Sequence, residues 1–65
     1  MTTNVSRLKV ARVAAGFNQF DLAQRVKVNE VTISRVETGR ITPSADLKAR
    51  ISQVLGKPSF ELFDR

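Results

Sequence analysis

The sequence predicts an all-α domain, a compact bundle of five short helices. Alternation of apolar and polar residues is nowhere sustained long enough for a strand. Three isolated glycines, Gly16, Gly39 and Gly56, and two prolines, Pro43 and Pro58, divide the chain into pieces of helical length. Apolar residues make up 42% of 65 residues, enough for one core. A chain this short buries only ~60% of its unfolded surface, so each core position counts, and residues 1–65 are expected to form a single domain.

The first helix is expected from Val5 to Ala15, rich in Ala, Arg and Lys, ending at Gly16, with Leu8, Val13 and Phe17 inward. Asn18 suits the N-cap of a second helix, Gln19 to Val26, whose Leu22, Ala23 and Val26 share a face. After Lys27-Val28, Asn29 offers another cap, and Glu30 to Thr38 reads as a third helix burying Ile33 and Val36. Pro43-Ser44 opens a fourth, running to about Leu55 with Leu47, Ile51, Val54 and Leu55, and Gly56 stops it. Pro58 fits the first turn of a last short helix, Ser59 to Phe63.

Composition narrows the function. Cysteine and histidine are absent, which removes disulfides and thiolates together with the commonest general base and metal ligand. No apolar run approaches ~20 residues and the first residues do not resemble a signal peptide, so a soluble, cytoplasmic chain without membrane attachment is expected. The formal charge is +5 and is unevenly spread. Residues 1–40 carry seven basic against three acidic side chains, a net of +4. A basic half points to a polyanion such as nucleic acid. Asp, Glu, Ser and Lys scatter over helix faces without a cleft, an oriented nucleophile or a Gly-rich phosphate loop, so the chain is not expected to be an enzyme, nor to use a cofactor or metal.

The informative stretch runs from Gln19 to Gly39. Two helices joined by about three residues must cross steeply, as in a helix-turn-helix, with small Ala23 where they touch. With Leu22, Val26, Val28, Ile33 and Val36 facing the core, the third helix presents Glu30, Val31, Thr32, Ser34, Arg35 and Thr38 outward. A helix of this diameter fits the major groove of duplex DNA.

Nearly the whole chain resembles the phage-repressor and Cro-like (XRE-type) helix-turn-helix family. The resemblance is carried by Arg7-Leu8-Lys9, by Asn18-Gln19 with Leu22-Ala23, and by Ile33-Ser34-Arg35-Val36-Glu37 before Gly39. Pro43-Ser44, Leu55-Gly56 and Glu61-Leu62-Phe63 continue it. It implies a lambda-repressor-like five-helix domain that binds double-stranded DNA as a transcriptional regulator, commonly as a homodimer on a two-fold site. Gln19, Glu30, Val31, Ser34 and Arg35 are the expected base contacts. Glu30 suits a cytosine amino group, Val31 a thymine methyl and Arg35 a bidentate contact to guanine. Asn18, Gln19, Thr38 and Arg40 are the expected phosphate contacts, giving affinity and register. Arg12 and Glu37 match a structural ion pair between the first and third helices. Phe60, Leu62 and Phe63 crowd a helix too short to bury both faces, which makes them a candidate dimer interface. An antitoxin-like or adaptor module with a protein partner is the competing reading.

Two positions depart from the family pattern. The turn position usually filled by glycine holds Lys27, where a left-handed backbone would cost roughly 1 kcal/mol. Lys48 stands where an apolar residue is usual, which would loosen or rotate the fourth helix.

Overall fold

A computed structural model describes residues 6–63. Among them it contains α1 (Arg7–Ala14), α2 (Gln19–Val26), α3 (Glu30–Glu37), α4 (Ala45–Leu55) and α5 (Ser59–Phe63), with no strand. Val5, expected to open α1, lies outside the described residues. The all-α, five-helix expectation holds, and the helix bounds differ from it by a residue or two at the ends. No described helix is long and apolar enough to cross a membrane.

Local chemistry sets the boundaries. Ser6 caps α1, its hydroxyl accepting the Lys9 N–H at 2.9 Å. Asn18 and Asp21 form a reciprocal capping box on α2: Asn18 Oδ1 accepts the Asp21 N–H at 2.7 Å and Asp21 Oδ2 accepts the Asn18 N–H at 3.1 Å. Ser44 caps α4 through the Leu47 N–H. At the other ends, Lys27 (φ 63°) and Gly56 (φ 68°) are left-handed, each donating its N–H back to the preceding turn.

The core is Leu8, Ala11, Leu22, Ala23, Val26, Ile33, Val36, Leu47, Ile51 and Leu62, with Phe17, Val28, Val54, Leu55 and Phe63 packed half-buried against it. Helix α2 is central, packing on both α3 and α4, while α5 closes the base against α1 and α4. Small Ala23, 2% exposed, lies within the buried face of α2.

One expectation needs correction. Val13 does not face inward; it is 58% exposed. At ~100° per residue, Leu8 and Val13 point ~140° apart, and α1 instead buries Leu8, Ala11 and Arg12. At Lys48, which departs from the family pattern, α4 runs unbroken from Ala45 to Leu55. Lys48 is half-buried, its ammonium 5.7 Å from the centroid of the Phe63 ring, so a cation–π contact occupies the place of an aliphatic side chain.

Candidate nucleic-acid interface

The unit that positions α3 is α2, the connection Lys27-Val28-Asn29, and α3 itself. The backbone turns sharply at Lys27, where φ 63° and ψ 45° let both the Lys27 and the Val28 N–H reach the Ala23 carbonyl, the latter at 3.0 Å. Lys27 is the only non-glycine residue with positive φ among those described. Arg50 of α4 secures the same helix end by donating from Nη1 to the Val26 carbonyl at 3.0 Å, while its Nη2 pairs with Asp46. A cation at a helix C-terminus also complements the backbone dipole. Asn29 then opens α3, its Oδ1 accepting from the Thr32 N–H and the Thr32 hydroxyl, both at 2.9 Å.

Helix α3 buries Ile33, Val36 and Glu37, which fixes its rotation. Val31, Ser34, Arg35 and Thr38 fall at i, i+3, i+4 and i+7 along the opposite stripe. Val31 is 53% exposed despite its apolar side chain. Glu30, Arg35 and Thr38 are exposed as well, and Ser34 and Thr32 are half-buried. No carboxylate lies within ion-pair distance of Arg35 among the described residues, which leaves its guanidinium donors facing solvent. Its carbonyl accepts the Arg40 N–H at 2.8 Å, so the chain folds back past Gly39 (φ 77°) and sets exposed Arg40 beside the end of α3.

Behind this face lies the ion pair expected between Arg12 and Glu37. Arg12 Nε donates to Glu37 Oε2 at 2.6 Å, and the two side chains are only 7% and 3% exposed. Arg12 Nη2 reaches Glu37 Oε1 at 3.3 Å and Nη1 donates to the Phe17 carbonyl at 2.8 Å. One guanidinium therefore ties α1 to the α1–α2 loop and to the end of α3. Phe17 itself carries the Arg25 guanidinium over its ring at 4.8 Å. No described buried side-chain nitrogen or oxygen lacks a hydrogen-bond partner.

The residues expected to contact DNA differ in exposure and in the bonds they already make. Asn18 is exposed, and while its Oδ1 caps α2 its Nδ2 has no partner among the described residues. Half-buried Gln19 donates from Nε2 to Glu37 Oε1 at 3.0 Å, a bond between α2 and α3 that sequence reasoning missed. The Thr38 hydroxyl donates back to the Ser34 carbonyl at 3.0 Å, so it must turn before it could donate to a phosphate. The candidate dimer residues separate. Leu62 is 3% exposed and belongs to the core rather than to an outer surface, Phe63 is half-buried against it, and Phe60 is 64% exposed.

Comparison with known proteins agrees with this architecture. Residues 5–60 match the helix-turn-helix domain family. A protein of Methanothermobacter thermautotrophicus, named as an uncharacterized HTH-type transcriptional regulator, is 42% identical over 50 residues, which span 77% of this chain and 72% of that protein. The match takes in the capped α2, the turn at Lys27 and the whole of α3, and the chain belongs to the helix-turn-helix domain family.

Proposed function

We propose that this domain is a sequence-specific transcriptional regulator that binds double-stranded DNA in the cytoplasm, with α3 in the major groove. The observation that carries the reading is the contrast between the two sides of α3. One side is fixed by Ile33, Val36 and the buried Glu37, while the other presents Val31, Ser34 and Arg35 with Arg35 free of any described carboxylate. Val31 supplies an apolar contact for a thymine methyl, and Glu30 and Arg35 supply acceptor and donor groups for base edges. Asn18, Gln19, Thr38 and Arg40 flank them as backbone contacts. The name of the Methanothermobacter thermautotrophicus relative supports a regulatory role.

The same reading includes a homodimer on a two-fold site, with half-sites about one helical turn, ~34 Å, apart. Exposed Phe60 is its candidate contact. A module for a protein partner draws support from the exposed apolar side of α1, where Val10 and Val13 are 56% and 58% exposed.

Titrating binding against salt tests the DNA reading. Neutralising four or five phosphates per subunit gives a slope of log K against log salt near −4. An affinity for duplex DNA that is independent of salt sinks it.

A further inference from the structure

Glu37 has a chemical consequence beyond its ion pair. Its carboxylate is acceptor-only while paired with Arg12, so the Gln19 side chain must turn its amide nitrogen, not its carbonyl, toward α3. The carboxylate is 3% exposed and cannot swing out to follow the amide. Arg12 holds it by two contacts, and Arg12 is itself held by the Phe17 carbonyl. Gln19, in contrast, is half-buried at the first position of α2, beside the exposed cap residue Asn18. Its inner N–H is fixed; its second N–H and its carbonyl oxygen remain.

We propose that Glu37 is a positioning residue for DNA binding: it fixes the rotamer and the amide orientation of Gln19, so that one donor and one acceptor are presented to the duplex in a set geometry. A free glutamine side chain loses rotamer freedom when it makes a contact, and this one has already lost it in the folded domain. The buried pair thereby links α1, the start of α2 and the end of α3 to a single contact on the binding side. The inference rests on the DNA-binding reading above.

The test is a double-mutant cycle on affinity for a fluorescently labelled duplex recovered by selection with the native chain. Thermal melting of each variant ensures that binding is measured well below unfolding. Gln19→Ala in the native background is expected to weaken binding about tenfold. In a Glu37→Gln background, whose amide can face Gln19 in either sense, the same substitution is expected to cost less than about twofold. Equal penalties in the two backgrounds, or no penalty in the native one, overturn the positioning role while leaving DNA binding intact. If no duplex is enriched at all, the functional reading falls and this inference with it.

A second measurement needs no substitution, should Glu37→Gln fail to fold. In nuclear magnetic resonance spectra of the native domain, one Gln19 side-chain amide proton is expected to be shifted and protected from exchange. That proton should stay in place on addition of duplex while its geminal partner moves. Two equivalent, rapidly exchanging amide protons, or loss of the shifted one on binding, contradict the proposal.

Discussion

Lys27 offers a perturbation whose sign is set by backbone strain in the folded turn against chain entropy in the unfolded state. Its φ of 63° and ψ of 45° lie in the left-handed region, which costs an L-residue with a Cβ about 1–2 kcal/mol. Glycine escapes that cost but gains freedom in the unfolded chain, which takes back roughly 0.4–1 kcal/mol. The Lys27 side chain is exposed and makes no hydrogen bond or ion pair among the described residues, so its removal subtracts little else. The N–H to the Ala23 carbonyl is backbone and survives in any variant but proline. Lys27→Gly is therefore expected to stabilise by about 0.5–1 kcal/mol, raising the melting temperature by roughly 2–8 °C in a domain this small. Lys27→Ala serves as the control, since it removes the same charge and side chain but keeps the Cβ. Circular dichroism melts of the three proteins decide the matter. If Gly and Ala shift the midpoint equally, or Gly lowers it, the strain is not where the turn geometry places it.

Three further perturbations probe the frame and the surface separately. Glu37→Ala leaves the Arg12 guanidinium buried without its counter-charge and is expected to cost about 3–5 kcal/mol. Glu61→Ala, at an exposed α5 position, should stay within roughly 0.5 kcal/mol, and similar melting shifts for the two would contradict the structural role of the pair. Arg50→Ala removes the donor to the Val26 carbonyl at the end of α2 and should cost about 1 kcal/mol in denaturant titration; no loss would mean that water replaces the guanidinium fully. Arg40→Ala should leave the melting temperature unchanged and reduce the salt slope of DNA binding by about 1, whereas an unchanged slope would remove Arg40 from the phosphate contacts.

The α2–α3 unit was legible because its determinants are local. Asn18 and Asn29 cap helices through N–H groups three residues away, and Leu22, Val26, Ile33 and Val36 lie on the faces their spacing indicates. The left-handed backbone at Lys27 and the Arg12–Glu37 pair followed from a resemblance that carries both turn geometry and partner. Helix α1 was less readable. Val10, Val13 and Ala14 are apolar yet exposed, while Arg12 points inward because its partner stands 25 residues away. Hydrophobic periodicity has no means of recording an inward arginine. The same holds for Gln19 with Glu37 and Arg50 with Val26, separated by 18 and 24 residues. Such bonds depend on how finished helices dock, so no local pattern announces them. The cluster Phe60, Leu62 and Phe63 was visible as a surplus of apolar side chains for so short a helix. Only the packing of α5 on α1 and α4 divides it into a core leucine and an exposed phenylalanine.

Recognition by α3 is tested most directly by selection from a random duplex library at near-physiological salt, run in parallel with the native domain and with Arg35→Ala. Arg35 is exposed and removed from the core, so the variant should fold normally. The native chain is expected to enrich a two-fold motif with half-sites about one helical turn apart. Arg35→Ala should lose one guanine preference in each half-site, a discrimination of roughly 1–3 kcal/mol. An identical motif from both proteins, or enrichment from neither despite salt-sensitive bulk binding, would contradict base reading by the outward stripe of α3.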